Sequence, residues 1–85
     1  MKLKVFTKIE NPEYEDAINV GKEFEEDGYD VEYLDLDQTN SQQLAQIFDI
    51  YATPAFVVTQ NDGKEVSSWR GNIPARDEIK NFMRL

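Results

Sequence analysis

The most informative stretch of this 85-residue chain is Ala52-Thr53-Pro54-Ala55-Phe56-Val57-Val58. Residues 55–58 are continuously apolar, which is typical of a central strand buried inside a sheet. A proline just before such a strand fixes a turn and keeps its missing N–H group out of the hydrogen-bonding ladder. The sequence therefore predicts a buried strand that starts directly after Pro54.

Three further strands are predicted around this one. Polar and apolar residues alternate over 2–7 and 31–36, as they do in strands with one buried face. Asn61-Asp62-Gly63 is a strong hairpin signal, because Asp-Gly adopts the tight turns that join antiparallel strands. A returning strand is therefore expected over 64–69.

Three helices are predicted from capping residues and apolar spacing. Asn11 is a good N-cap, Pro12 suits the first helical position, and Gly28 can end the helix with a positive φ. The second helix is expected to be capped by Thr39 or Asn40. The predicted apolar positions are Tyr14, Ala17, Ile18, Gly21 and Phe24 in the first helix, Leu44, Ala45, Ile47 and Phe48 in the second, and Ile73, Ile79, Phe82 and Met83 in a third that ends near Leu85.

The predicted element order is β-α-β-α-β-β-α, and residues 1–85 are expected to form a single domain, since a second would leave neither with a workable core. Two β-α-β connections predict right-handed crossovers, with parallel strands from the first half and an antiparallel pair from the hairpin. The expected fold class is α/β, with a four-stranded mixed sheet flanked by three helices.

The chain contains no cysteine and no histidine. The absence of cysteine excludes disulfides, thiolate nucleophiles, Cys-ligated zinc and iron–sulfur clusters, and the absence of histidine removes the commonest general base. Asp35, Asp37 and Asp49 are not followed by a glycine-containing ligand loop of the calcium-binding type. No cofactor and no metal site are therefore expected.

The formal net charge is −8, and the whole excess lies in residues 1–38. Such a charge argues against binding to nucleic acid or to an anionic membrane. No apolar run is long enough to span a bilayer, and residues 1–6 do not resemble a signal peptide, so a cytoplasmic location is expected. The protein is also expected to be a monomer. The acidic half is interpreted either as a solvated helix face or as a surface for a basic protein partner.

The element order and Thr53-Pro54 together resemble the thioredoxin fold, and most closely its small glutaredoxin-like members. In that family, Cys-Pro-X-Cys opens the first helix, and Asn11-Pro12-Glu13-Tyr14 falls in register with it here. Asn11 stands at the attacking cysteine and Tyr14 at the resolving one. The family's proline before the apolar strand is cis, which implies a cis Thr53–Pro54 bond, and Gly71 matches a glycine that follows the last strand.

The resemblance implies a fold whose usual chemistry, thiol–disulfide exchange, this chain lacks. Asn11 has no nucleophile, Tyr14 cannot resolve a mixed disulfide, and Val5 stands where larger thioredoxins carry a buried acid. The expected function is a redox-inactive thioredoxin- or glutaredoxin-like domain that is not an enzyme and binds a protein. The alternatives are an oxidoreductase-family member in cell redox homeostasis without its own thiol chemistry, and a purely structural subunit.

The resemblance also implies where a partner would bind. In the family, the backbone of the residue before the cis-proline pairs with an extended peptide or with glutathione, although Pro54 has a purely structural role as its alternative. Tyr14, Tyr51 and Trp69 are expected either to lie together around this groove or to cover edges of the core. The predicted surface comprises Asn11, Pro12, Tyr14, Tyr51, Thr53 and Pro54, with an acidic rim of Glu10, Glu13, Glu15 and Asp16.

Lys8 is the candidate anion contact at this surface. It matches a lysine that helps to bind the glutathione carboxylate in glutaredoxins, and the nearby helix N-terminus attracts anions. The four carboxylates of the acidic rim oppose a second negative charge, so glutathione binding is not expected.

Overall fold

The computed structural model describes residues 1–83, and all seven predicted elements are present in the predicted order. The strands are β1 (Lys2–Thr7), β2 (Asp30–Asp35), β3 (Ala55–Thr59) and β4 (Glu65–Arg70). The helices are α1 (Tyr14–Glu26), α2 (Thr39–Ile47) and α3 (Arg76–Lys80). Within residues 1–83, none of these helices has the length and apolar character that crossing a bilayer requires.

The four strands form one mixed sheet in the order β2-β1-β3-β4. β1 pairs with β2 in parallel, whereas β3 is antiparallel to both β1 and β4. The four-stranded mixed sheet with three helices is therefore confirmed. The prediction of two crossovers between parallel strands is wrong for the second connection, because β3 runs opposite to β2.

The chain reverses direction at the end of α2, which is why β3 runs antiparallel. Asp49 adopts a left-handed conformation with φ 55°, and the next residue, Ile50, donates its N–H to the Ala45 carbonyl at 2.8 Å. This reversal brings β3 back beside the end of β1, where Ala55 pairs with Phe6. α2 therefore does not carry the chain to the opposite end of the sheet.

The sheet has an apolar core on each face. α1 and α3 cover one face, where Phe24 and Ile79 pack with Leu3, Phe56 and Val58 of the strands. α2 covers part of the other face, over a second cluster: Phe6, Leu34, Leu36, Ala45, Phe48, Ile50, Ala55 and Val57. β3 is buried along its whole length, as the apolar run after Pro54 predicts.

The predicted start of the first helix, at Pro12, is wrong by two residues. The Asn11 carbonyl accepts the Tyr14 N–H at 3.0 Å, and its side-chain Oδ1 accepts the Glu13 N–H at 2.8 Å. These bonds close a turn that contains Pro12, so the helix begins only at Tyr14. The end of α1 agrees with the prediction, because Gly28 has φ 94°.

Two predicted features of the later helices are also corrected. Gln38 precedes α2, and neither Thr39 nor Asn40 caps it through a side chain. Ile47 is 71% exposed, because it does not lie on the inward face of α2, whose buried positions are Ser41 and Ala45. α3 ends at Lys80, and the predicted end near residue 85 lies outside the described residues.

Candidate protein-interaction site

The turn after β1 and the loop before β3 are joined by one side chain. Asn11 donates from Nδ2 to the Thr53 carbonyl at 2.9 Å and contacts Thr53 Oγ1 at 3.4 Å. The Thr53–Pro54 peptide bond is cis, and Pro54 is buried. The two segments that the sequence assigns to one site therefore lie against each other.

An open groove with a volume of about 450 Å³ runs between this loop and α2. Tyr51 lies at the groove and is 86% exposed. The residues that line the groove are Lys8, Leu36, Gln42, Ala45, Gln46, Ile50, Tyr51 and Thr53. Amide, hydroxyl and ammonium groups suited to hydrogen bonding with a polypeptide thus surround an exposed aromatic ring.

The backbone of Thr53 can donate a hydrogen bond to a bound peptide, but its carbonyl is already partly engaged. Its carbonyl already accepts the Asn11 amide. Its N–H donates to no acceptor within residues 1–83. A peptide that paired with this loop would therefore find a free N–H and a carbonyl with one lone pair already engaged.

The three candidate aromatic residues do not gather around this groove, and for Trp69 the structure agrees with the alternative, packing at the edge of the core. Tyr14 lines a separate cavity along α1 with Glu15, Ile18, Asn19 and Lys22. Trp69 pairs with Phe56 in the sheet, which directs it to the face under α1 and α3, where its ring meets Phe82 with centroids 5.8 Å apart. Only Tyr51 remains at the groove.

The predicted acidic rim is exposed to solvent. Its four residues, Glu10, Glu13, Glu15 and Asp16, lie in the turn before α1 and in the first turn of the helix. None of them forms an ion pair within residues 1–83. Lys8, which lines the groove, is half-buried. The groove thus holds the Lys8 ammonium, whereas the four carboxylates lie in and before the first turn of α1, and Glu15 lines the separate cavity there.

Arg70 holds the chain just before Ile50 of the groove, a role that sequence reasoning missed. Its guanidinium donates to the carbonyls of Phe48 at 2.7 Å and Asp49 at 3.1 Å. It thereby binds the carbonyl-rich end of α2, where a cation is favoured. The sequence shows only a cation at the end of β4. Its contacts with the end of α2 become visible only when the sheet brings the two segments together.

Gly71 is required at the position that the family resemblance identified. Its N–H donates to the Pro54 carbonyl at 2.9 Å, and its φ is 81°. A Cβ atom there would lie 3.2 Å from the Cβ of Ala52. A larger residue would therefore combine backbone strain with a tight contact against the loop that carries Thr53.

The two groups with shifted pKa values lie on β2 and do not line the groove. The hydrogen bond from Lys4 Nζ to Glu32, at 2.6 Å, lowers the pKa of the Glu32 carboxyl, against a smaller opposing effect of burial. Burial raises the pKa of Tyr33 well above its usual range, helped by its 2.5 Å hydrogen bond to Glu25. Within residues 1–83, no group of three metal-ligating side chains occurs.

Solved structures show which fold this arrangement belongs to, whereas no family model and no curated protein matches the sequence. The reduced thioredoxin pre-protein of Schistosoma mansoni superposes with a TM-score of 0.77 at 20% identity, over 96% of this chain and 78% of that one. Thioredoxin 1 of Thermosipho africanus gives 0.64 at 16% identity, over 96% and 89%. A thioredoxin of Thermus thermophilus gives 0.64 at 19% identity, over 95% and 69%. The chain therefore has the thioredoxin fold, built without a single cysteine.

Proposed function

We propose that the chain is a redox-inactive thioredoxin-like domain, and not an enzyme, that binds a protein partner through the face of the former active site. The observation that carries the proposal is Tyr51, which is 86% exposed beside the groove. Tyrosine side chains are enriched at the centres of protein interfaces, where the ring is buried and the hydroxyl finds a partner.

The chemistry of the site supports binding rather than catalysis. A chain without cysteine cannot exchange thiols and disulfides. Asn11 stands at the position of the nucleophile, yet its amide still joins the turn to the Thr53 carbonyl at 2.9 Å. The proposed site is therefore held together by a hydrogen bond at a position that offers no nucleophile.

The docking face, as we define it, comprises Asn11, Pro12, Tyr51 and Thr53, whereas Pro54, which the sequence predicts as part of it, is buried. Ile9 extends it, because it directly follows Lys8 and is 62% exposed. Tyr14, predicted to belong to this face, lies in its own cavity along α1 and stands at the margin. A cytoplasmic location, expected from the sequence, is part of the proposal.

The acidic rim supports a basic partner. Four exposed carboxylates at one end of α1 create a negative potential that attracts a positively charged protein over a distance. Such steering raises the association rate most strongly at low salt and contributes less to the final affinity. Lys8 lies inside the groove and not on the rim, so the rim itself carries no cation.

Affinity purification with Tyr51→Ala and Ile47→Ala variants tests the proposal. Both side chains are largely exposed, so neither substitution disturbs the core, but only Tyr51 lines the groove. The proposal expects partners from the native host that bind wild type and Ile47→Ala and are lost with Tyr51→Ala. Equal recovery by all three baits would overturn it.

Glutathione is not the proposed ligand, although Lys8 lines the groove beside Thr53. Glutathione carries net negative charge, and the four rim carboxylates repel it. Isothermal titration with glutathione is expected to give no measurable heat at micromolar concentrations. Micromolar binding that disappears in a Lys8→Ala variant would replace the protein-partner proposal with a glutathione site.

A further inference from the structure

The segment that connects α2 to β3, residues 48–54, carries three of the residues that line the groove: Ile50, Tyr51 and Thr53. The backbone N–H of Tyr51 donates to no acceptor within residues 1–83, and the residue is 86% exposed. Neither a hydrogen bond of its own N–H nor packing of its ring therefore fixes the place of Tyr51. Its position depends on the points at which the rest of the segment is anchored.

Arg70 anchors the start of this segment from the end of β4. Its Nη2 atom donates to the Phe48 carbonyl at 2.7 Å, and its Nε atom donates to the Asp49 carbonyl at 3.1 Å. Asp49 has a left-handed backbone conformation with φ 55°, which is uncommon for a residue other than glycine. One guanidinium therefore binds two successive carbonyls at the point where the chain leaves α2 and turns toward Tyr51.

The Arg70 side chain is itself held by two residues of its own strand. Its Nη1 atom donates to the Ser68 hydroxyl, and its Nη2 atom lies 3.5 Å from Glu65 Oε1. All three nitrogen atoms of the guanidinium thus have a partner. Because the guanidinium is planar and its donors form a rigid fork, these contacts fix its orientation against the two carbonyls.

A register shift in the sheet brings Glu65 and Arg70 to the same face of β4. In a regular strand, residues five apart point to opposite faces. The shift between Val58 and Thr59 changes this, so that Glu65 pairs with Thr59 and Arg70 pairs with Ala55. Ala55 belongs to the apolar cluster on the face that α2 covers in part. Arg70 is therefore on the side of the sheet where it can reach the end of α2.

Two further hydrogen bonds anchor the other end of the segment. Asn11 donates from Nδ2 to the Thr53 carbonyl at 2.9 Å, and the Gly71 N–H donates to the Pro54 carbonyl at 2.9 Å. Arg70 and Gly71, which are adjacent in sequence, therefore hold the two ends of one segment. Tyr51 lies between these anchors.

We propose that Arg70 is a positioning residue of the docking face, which fixes the place of Tyr51 by binding the two carbonyls that precede Ile50. Arg70 itself does not line the groove. The inference rests on the proposed function, because that function depends on Tyr51. A segment that is already ordered loses less conformational entropy when a partner binds. Releasing the segment therefore weakens binding, although every residue of the docking face is still present.

The two carbonyls require an arginine and not merely a positive charge. Any cation is favoured at the end of a helix, but lysine ends in one compact ammonium group and lacks the planar fork. Arg70→Lys and Arg70→Gln are therefore both expected to release the segment. Arg76→Gln is the matched control, because Arg76 lies in α3 and has Glu23 as its only polar side-chain partner within residues 1–83.

NMR relaxation of backbone amides tests the position of the segment without a partner. In wild type and Arg76→Gln, the order parameters of Ile50 and Tyr51 are expected near about 0.85, the value for rigid backbone, whereas in Arg70→Gln and Arg70→Lys they are expected to fall below about 0.6. The amides of β1 are expected to stay rigid in all four proteins. A rigid segment in either Arg70 variant would overturn the inference. So would a loss of order that includes β1, because it would indicate a role in the whole fold.

Affinity purification with the same proteins as baits tests the consequence for binding. Recovery of the partners that wild type binds and Tyr51→Ala loses is expected to fall at least about tenfold with Arg70→Gln and to stay within about twofold with Arg76→Gln. Equal recovery by wild type and Arg70→Gln would overturn the inference and leave the proposed function standing. A wild type that recovers no partner would instead refute the proposed function, and the relaxation measurement then decides whether Arg70 positions Tyr51.

Discussion

Asn11 donates its side-chain amide to the Thr53 carbonyl at 2.9 Å, across 42 positions of sequence. The same side chain accepts the Glu13 N–H through Oδ1 at 2.8 Å. Both ends of one amide group are therefore satisfied, one within its own turn and the other on the loop before β3. Asn11 is therefore a structural link between the two segments of the candidate site.

Replacing Asn11 with alanine is expected to lower the free energy of unfolding by about 1–3 kcal/mol, because it removes both hydrogen bonds and leaves part-buried groups unpaired. Asn72→Ala is the matched control, since Asn72 is exposed and makes no side-chain hydrogen bond within residues 1–83. Urea unfolding monitored by circular dichroism measures both. Equal stabilities of the two variants would contradict a structural role for Asn11.

Introducing a cysteine at each end of the Asn11–Tyr14 turn is expected to create a disulfide. The Tyr14 N–H donates to the Asn11 carbonyl at 3.0 Å, and a turn closed in this way holds its end Cα atoms within about 7 Å. Disulfides span Cα separations of about 4.4–6.8 Å. The variant Asn11→Cys/Tyr14→Cys is therefore expected to form an intrachain bond, which mass spectrometry detects before and after reduction.

The same variant gives a direct comparison for redox activity. In an insulin-reduction assay, wild type is expected to show no turnover, and the double variant is expected to exceed both single variants, because only the double variant can attack and resolve. Turnover by wild type above the blank would refute the redox-inactive assignment.

Replacing Gly21 with alanine is expected to destabilise the fold, although alanine is the better helix former. A Cβ atom at this position would lie 2.6 Å from Cε1 and 2.9 Å from the hydroxyl oxygen of Tyr33. Gly21→Ala is therefore expected to destabilise by about 1–3 kcal/mol, which exceeds the helix gain of about 1 kcal/mol.

Thermal unfolding of a double-mutant cycle separates the two effects. In a Tyr33→Ala background the collision is gone, so Gly21→Ala is expected to become neutral or stabilising. An equal loss in both backgrounds would show that Tyr33 is not the obstacle.

The ion pair of Lys4 with Glu32 is expected to make the free energy of unfolding depend on pH in the acidic range. The pKa of Glu32 is lowered in the folded state from 4.5, so its contribution is complete above that pH and is lost as the pH falls through the folded value. Glu32→Gln is expected to cost about 0.5 kcal/mol at pH 7, because the pair is partly exposed, and nothing in strong acid.

Urea unfolding between pH 7 and acid checks this dependence. Glu26→Gln is the control, because Glu26 is exposed and forms no ion pair within residues 1–83. A cost of Glu32→Gln that does not change with pH would indicate lost packing and not lost charge.

The elements were predictable because their signals are local. An alternating pattern over residues 2–7 and an apolar run after Pro54 each report the burial of a strand within a few residues of sequence. The start of α1 was not predictable, because Asn11 and Pro12 are equally good for opening a helix and for closing a turn. In the structure the residues form the turn, and the Asn11 side chain contacts Thr53, which is distant in sequence.

The two segments that form the candidate site could be predicted from the sequence, but the side chains that make up its surface could not. The resemblance identified the turn after β1 and the loop with Thr53. It could not show that Tyr14 and Trp69 point elsewhere, since that depends on the register of β4 and the start of α1. Nor could it reveal Arg70, whose partners are backbone carbonyls that carry no sequence signal.

The elements, the absence of thiol chemistry and the acidic first half follow from the amino-acid sequence, because each depends on which residues are present or on their neighbours along the chain. Three features emerge only in the folded chain: β3 runs antiparallel, Tyr51 is the one of the three candidate aromatic residues that lines the groove, and Glu65 and Arg70 share a face of β4. Those features depend on strand register and on the reversal at Asp49, where contacts distant in sequence outweigh local preference.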